Sequence, residues 1–165
     1  MNKLFKVNID FLYIAIIPLI AIFFSLDRYL KKIALSLPTG RSYELISDFF
    51  TFSFAKNYNI AFSLPLGEKI LLPIIYLAIF LLIFAIIRDI LINKAFTLEA
   101  SLLTFILLGA ISNMLDRIQL GFVIDYLSIK NFSIFNIADM MIALASLFYI
   151  ILYYKMNKAK TRKNE

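Results

Sequence analysis

Three aspartates lie close together in the C-terminal half of the chain, at Asp116, Asp125 and Asp139. Asp116 ends one apolar run, Asp139 begins the next, and Asp125 lies between them. Carboxylates beside membrane segments are costly, so their clustering indicates a functional site. Two carboxylates held close in a site of low dielectric cannot both ionise, and one shared proton makes one a base and the other an acid. This pattern predicts general acid–base catalysis, such as hydrolysis by an activated water.

Other common catalytic chemistries are excluded by composition. The 165-residue chain contains no cysteine and no histidine. Disulfides, thiolate nucleophiles, Ser-His triads and most zinc sites are therefore ruled out. Carboxylate, hydroxyl, amide, Lys, Arg or Tyr chemistry remains, and we predict neither a metal nor a cofactor.

The composition is that of an integral membrane protein. Hydrophobic residues make up 62% of the chain and aromatic residues 16%, which is too apolar for a soluble domain of this length. The formal net charge is +6, but the basic residues gather at the ends of apolar runs and at the C-terminus. That placement fits contact with membrane lipid headgroups and not with nucleic acid. The length predicts one domain over residues 1–165.

Four apolar runs predict a mainly α, integral membrane four-helix bundle, with spans at about 9–26, 70–87, 99–115 and 136–154. The first span is expected to stay uncleaved, because no small-x-small cleavage site precedes Asp27. The alternation of residues 50–55 predicts a strand, and residues 57–63 are its suggested partner in a small sheet. An amphipathic connector resting on lipid is the alternative for this segment.

The four spans would put both termini on one side of the membrane. Five basic residues in the tail at 155–165 predict that this side is cytoplasmic, although Lys31 and Lys32 count against it. Loops 27–69 and 116–135 are then extracytoplasmic. Four acids would then face outward: Asp27 ends span one, Asp116 ends span three, Asp125 lies in the following loop and Asp139 begins span four.

Structural roles could explain part of the same pattern. Asn136 and Asp139 fit an N-cap and a first-turn acid, a stabilisation of about 1 kcal/mol. Asn113 lies three residues before Asp116 and four before Arg117, so it would meet both on one face of a helix. Asp116 could there simply pair with a nearby cation. Asp125 lies in a strand-like segment without an obvious local partner, so a structural role explains it least well.

The motifs in this region resemble those of the lipoprotein signal peptidase (signal peptidase II) family. Residues 113–117, 123–126 and 135–139 read N-M-L-D-R, V-I-D-Y and F-N-I-A-D, and they are similar to the signatures N-x-x-D-R, V-V-D-F and F-N-x-A-D. Asp27 with Lys31 resembles the D-Q-x-T-K box, and residues 57–63 resemble N-x-G-A-A-F-S. The resemblance covers nearly the whole chain. The chain departs from the motifs without losing a carboxylate, at Arg28, Leu30, Asn59, Ile60, Ser112 and Met140.

The resemblance implies a membrane aspartic endopeptidase of the bacterial inner membrane, with its active site at the extracytoplasmic face. It would remove the signal peptide from diacylglyceryl-modified prolipoproteins by cutting before the lipid-modified cysteine. By motif position, Asp125 and Asp139 would be the catalytic pair. Its partners would be prolipoproteins and membrane lipids, and we expect a monomer. The substrate-binding or site-supporting residues would be Asp27, Lys31, Asn57, Phe62, Asn113, Asp116, Arg117 and Asn136.

Two other classes of function fit part of this pattern. A small transporter or channel component would use outer-face carboxylates to bind cations or protons. It would also need polar groups along a path across the membrane, whereas the acids here gather at one predicted face. A structural or assembly subunit is the second alternative, and it predicts that Asp→Asn substitutions have no effect on activity.

Overall fold

The computed structural model describes residues 9–38, 40–58 and 68–164. This part of the chain forms four long helices and four short strands. In chain order they are α1 (Ile9–Leu35), β1 (Ser42–Ile46), β2 (Phe50–Asn57), α2 (Glu68–Asn93), α3 (Leu98–Leu120), β3 (Val123–Ile129), β4 (Ile134–Phe135) and α4 (Ile137–Asn164).

Three of these helices are long and apolar enough to cross a membrane. The candidate spans are Ile70–Asn93, Leu98–Leu120 and Ile137–Lys158. Large apolar side chains on α2 and α4 point away from the protein, as Phe80 and Phe148 do, which is expected where lipid is the solvent. The prediction of a mainly helical membrane protein is confirmed. A bundle of four spanning helices is not established, since α1 is not among the three candidates.

The helices extend beyond the predicted spans. Asp27 was expected to end the first span, but α1 continues to Leu35. The charge is accommodated because Lys31, one turn later, pairs with Asp27 at 3.1 Å inside the protein. Helix α3 likewise continues past Asp116 and ends at Gly121, whose φ of 78° is the left-handed conformation typical of a helix C-cap.

The strands form one antiparallel sheet in the order β1-β2-β3-β4. The prediction of a strand at 50–55 is confirmed, as is the strand character around Asp125. Strand β2 pairs with β1 and β3. Of the suggested partner segment at 57–63, Asn57 is the last residue of β2 itself, and residues 59–63 lie outside the described residues. The sheet packs over the C-terminal end of α1 through a small core of Ala34, Phe122, Ile124 and Tyr126.

Helix α3 is the centre of the helical layer, because α1, α2 and α4 all pack against it. Gly109 permits its close approach to α4. A Cβ atom at this position would lie 2.7 Å from the carbonyl oxygen of Ala138 and 2.9 Å from Cγ1 of Ile142. This approach sets the first turn of α4 beside the last turns of α3, where the polar residues of the site lie.

Candidate active site

The two predicted catalytic aspartates come from different elements that meet at one end of the helical layer. Asp125 is in β3, opposite Ala55 of β2, and it is buried. Asp139 is in the first turn of α4. Strand β3 follows α3 after a short turn, while α4 begins directly after β4. The paired strands and the α3–α4 contact therefore bring the two acids to the same place.

Asn136 connects the two carboxylates. Its Oδ1 accepts a hydrogen bond from the backbone N–H of Asp139 at 2.8 Å, and its Nδ2 donates to Oδ1 of Asp125 at 2.8 Å. The Asp139 carboxylate accepts from the backbone N–H of Asn136 at 3.3 Å. The predicted capping role is thus confirmed. It coexists with a contact to the second acid, which capping alone does not require.

Two further amides complete the hydrogen bonding of the acids. Asn57 Nδ2 donates to Oδ2 of Asp125 at 2.9 Å, and Asn113 Nδ2 donates to Oδ1 of Asp139 at 2.8 Å. Each carboxylate therefore accepts two hydrogen bonds, and each oxygen has a donor that holds it in position. Side-chain donors that hold carboxylates in fixed positions preorganise a site for chemistry.

The environment of Asp125 favours the protonated form of its carboxyl group more than water does. Burial, followed by the charge of Asp139, raises the pKa of Asp125 to about 6, while hydrogen bonds from Asn57 and Asn136 and the charge of Lys31 act in the opposite direction. A carboxyl group with its pKa in this range can donate or accept a proton at physiological pH.

A buried ionic cluster lies behind the acids. Lys31 Nζ contacts Asp27 Oδ2 at 3.1 Å and Asp116 Oδ2 at 2.8 Å, and Arg28 contacts Asp116 Oδ1 at 2.5 Å. Asp116 Oδ2 also accepts from the backbone N–H of Ile124 at 3.3 Å. This bond ties α3 to β3 one residue before Asp125. Arg117 was expected to hold Asp116 and interacts electrostatically with it, while two cations on α1, Arg28 and Lys31, form ion pairs with the Asp116 carboxylate.

Asp27 supports the site by connecting three elements. Its carboxylate accepts hydrogen bonds from the hydroxyl of Ser112 at 2.6 Å, from the hydroxyl of Tyr126 at 2.9 Å and from the backbone N–H of Ala138 at 3.1 Å. The Tyr126 hydroxyl in turn accepts from the N–H of Ile137 at 3.1 Å. Asp27 thus fixes α3, β3 and the beginning of α4 relative to α1, as a group that positions other residues.

Arg117 lies beside the acids. It donates to the backbone carbonyl of Asn113 at 3.4 Å and interacts electrostatically with Asp139, Asp125 and Asp116. It also lines a small open pocket with Tyr58, Leu71, Leu72 and Gly121. The remaining predicted site residue, Phe62, lies outside the described residues.

Four residues of this arrangement were not predicted as site residues. Arg28 and Ser112 stood out in the sequence only as departures from the family motifs, and Tyr126 lies inside one of those motifs. Gly109 carried no signal, since a lone glycine in an apolar helix has many explanations.

The fold and the site together define a polytopic membrane protein with a single group of buried charges. Among the described residues, the buried charged side chains are Asp27, Lys31, Asp116 and Asp125. The first three belong to the ionic cluster, and Asp125 is one of the two acids in front of it. A hydrolytic site needs such a localised group, whereas a conduction path needs polar groups along its length.

Comparison with solved structures identifies the same fold. A bacterial membrane enzyme superposes with a TM-score of 0.73 and 20% identity over 97% of this chain and 96% of its own. A second bacterial membrane enzyme gives 0.66 and 21% identity over 93% and 97% of the two chains.

Sequence comparison gives the family. The signal peptidase II model matches residues 19–155. Lipoprotein signal peptidases of Clostridium tetani and Enterococcus faecalis are 33% and 30% identical over 145 and 149 residues. These matches cover 84% and 87% of this chain and 91% of each relative. The chain belongs to the signal peptidase II family, and it is therefore a peptide hydrolase of the membrane.

Proposed function

We propose that the chain removes the signal peptide from diacylglyceryl-modified prolipoproteins, cutting before the lipid-modified cysteine, with Asp125 and Asp139 as the catalytic pair. Family membership supports the reaction. The observation that carries the assignment of residues is the bridge made by Asn136. Its Nδ2 donates to Oδ1 of Asp125 at 2.8 Å, and its backbone N–H donates to Oδ2 of Asp139 at 3.3 Å.

The mechanism follows from two carboxylates that share one proton. The ionised aspartate takes a proton from a water molecule as that water attacks the scissile carbonyl carbon. The protonated aspartate donates to the carbonyl oxygen, which gives a neutral tetrahedral gem-diol. As the C–N bond breaks, the amine receives a proton from one acid and the other recovers a proton from the gem-diol. Water is consumed, and no covalent enzyme intermediate forms.

Arg117 and the pocket beside it are our candidates for substrate binding. A guanidinium has five N–H donors and no acceptor, so Arg117 can bind peptide carbonyls next to the acids. The signal helix would approach from the lipid and pack on the apolar helices, and only the residues around the cut would unwind. By its place in the family motif, Phe62 would contact the bound segment.

We further propose that α1 is the fourth span, with both termini cytoplasmic and the acids at the extracytoplasmic face of the inner membrane. At 27 residues α1 is about 40 Å long, enough to cross a bilayer. The last third of α1, the end of α3 and the start of α4 meet in the site. These three helix ends would therefore lie at one membrane face, opposite the basic tail. The proposed active form is a monomer.

Cleavage of a defined substrate tests the proposed reaction. Purified protein is given a synthetic precursor peptide with a diacylglyceryl cysteine, and the products are identified by mass spectrometry. We expect one cut, immediately before the modified cysteine, and in H₂¹⁸O we expect label in the carboxyl terminus of the released signal peptide. A matched peptide with an unmodified cysteine tests the lipid requirement. A folded protein that leaves the lipidated peptide intact, or that cuts elsewhere, would contradict the proposal.

A further inference from the structure

Lys31 occupies an unusual position for a lysine, because its side chain is 1% exposed and its amine lies within the site. Besides its two ion pairs, Nζ donates to Oδ1 of Asn113 at 2.8 Å. The other end of the same amide, Nδ2 of Asn113, donates to Oδ1 of Asp139 at 2.8 Å. A chain of hydrogen bonds therefore runs from a buried cation, through one amide, to one of the two acids.

The orientation of the Asn113 side-chain amide in this series of hydrogen bonds is fixed by its partners. An ammonium group has only donors, so it must face the oxygen of the Asn113 amide. The opposite rotamer would place the amide NH₂ against the ammonium and the oxygen against the carboxylate, two repulsive contacts in place of two hydrogen bonds. Asn136 Nδ2 lies 3.2 Å from the same oxygen and reinforces this orientation. The NH₂ of Asn113 must therefore point at Asp139.

The two acids consequently have unequal surroundings. Asp139 accepts from an amide that is polarised by Lys31, and it stands in the first turn of α4, where the helix dipole favours negative charge. Asp125 is on a strand, and its two hydrogen bonds come from the side-chain amides of Asn57 and Asn136.

We propose that Lys31 is a positioning residue for the reaction. By locking the Asn113 amide, it makes Asp139 the ionised member of the pair, the base that takes the proton of water, and it leaves the shared proton on Asp125. This inference rests on the proposed function and adds an assignment of the two roles. The raised pKa of Asp125, about 6 and caused first by burial, agrees with it.

The pH dependence of the site reflects every charge that faces it. Two acids form the pair, and the ionic cluster and Arg117 surround them from α1 and α3. From β2, Lys56 stacks on the ring of Phe122, 5.0 Å from its centroid. The charged groups to be considered are Asp27, Arg28 and Lys31 on α1, Lys56 on β2, Asp116 and Arg117 on α3, Asp125 on β3 and Asp139 on α4.

The first test is the acidic limb of the pH profile of kcat/KM, which reports ionisation of the base in the free enzyme. In Lys31→Met the base loses its polarised donor and a nearby positive charge, so we expect this limb to move up by roughly 1 pH unit. Lys31→Arg keeps a charged donor and should restore the position of the limb. Arg28→Gln is the matched control, since it removes a cation from the same Asp116 without touching Asn113, and its limb should stay in place.

A double-mutant cycle separates a relay from a general effect on structure. Asn113→Ala alone should move the limb in the same direction as Lys31→Met, and the shift in the double variant should be smaller than the sum of the two single shifts. A residue that only stabilises the fold would lower the unfolding midpoint and leave the limb unchanged in all these variants. An unmoved limb in folded Lys31→Met or folded Asn113→Ala would overturn the inference.

Carbon-13 NMR of the wild-type aspartate carboxyl groups gives a test that does not depend on these variants folding. With the signals assigned from Asp125→Asn and Asp139→Asn, we expect the Asp139 signal to titrate at lower pH than the Asp125 signal. The reverse order would overturn the assignment of roles. Full cleavage by Asp125→Asn or Asp139→Asn would instead contradict the proposed catalytic pair, so the two failures are distinguishable.

Discussion

Replacement of Asp116 by asparagine tests the buried ionic cluster. The substitution keeps the size of the side chain and removes its charge. Lys31 and Arg28 contact different oxygens of this carboxylate, at 2.8 and 2.5 Å. In either rotamer the new NH₂ group must face one of these cations. The variant therefore replaces an ion pair by a repulsive contact, either with the buried Lys31 or with Arg28, whose side chain is 28% exposed.

The expected cost follows from burial. The side chains of Asp116 and Lys31 are each 1% exposed, and removal of one partner of a buried ion pair costs about 3–5 kcal/mol. At about 2–4 °C per kcal/mol for a chain of this size, the unfolding midpoint should fall by roughly 10 °C. Because Asp116 also holds the N–H of Ile124, beside Asp125, we expect cleavage activity to fall as well.

The control is the same substitution in a surface ion pair. Asp48 contacts Lys130 at 3.4 Å, with side chains that are 86% and 59% exposed. Such pairs contribute about 0–1 kcal/mol, and asparagine tolerates the positive φ of 56° at this position. Both variants are measured by thermal unfolding in detergent and by peptide cleavage. Equal midpoints for wild type and Asp116→Asn, with unchanged cleavage, would refute the reasoning.

Two further predictions concern packing and pH. Gly109→Ala should destabilise the protein by about 1–3 kcal/mol, because the added methyl group would lie 2.7 Å from the backbone oxygen of Ala138; thermal unfolding checks this, and an unchanged midpoint would contradict it. For Asp125, burial and then the charge of Asp139 raise the pKa from 3.8 to about 6, so the folded state binds more protons than the unfolded state between these values. Wild type should therefore lose stability relative to Asp125→Asn as the pH rises from about 4 to 6, with no further change above that. Parallel pH dependences of the two unfolding midpoints would contradict this shift.

The local features of the site could be predicted from sequence. The alternation at 50–55 predicted strand β2, and the spacing of Asn136 and Asp139 predicted the cap of α4. Both depend on residues a few positions apart, where period and capping chemistry are informative. The motif order then indicated which acids would be brought together.

The ionic cluster could not be predicted in the same way. Arg28 and Asp116 are 88 positions apart, and no local rule pairs them. The sequence indicated Arg117 as a partner of Asp116, and the two do interact electrostatically, but nothing in the sequence indicated the ion pairs that Asp116 forms with Arg28 and Lys31. The predicted ends of α1 and α3 came too early for the same reason. Asp27 and Asp116 each end an apolar run in the sequence, but both helices continue past them because the partners of these charges lie inside the fold.

The close α3–α4 contact also depended on information absent from the local pattern. Gly109 is one small residue in an apolar run, and its importance comes from the backbone of Ala138 on another helix. Asp27 likewise gained its role from Tyr126 and Ala138, about a hundred positions away. The sequence therefore located the two candidate aspartates better than the contacts that hold them.

The most direct test of the central claim compares cleavage by wild type with Asp125→Asn and Asp139→Asn. Each substitution keeps the side-chain size and removes the ionisable group, and Asp48→Asn serves as the matched surface control. With folding verified by thermal unfolding, we expect each active-site variant to lose about 10²–10⁴-fold or more in kcat/KM, while the control retains wild-type activity. Wild-type cleavage by either folded active-site variant would contradict the assignment of these two aspartates as the catalytic pair.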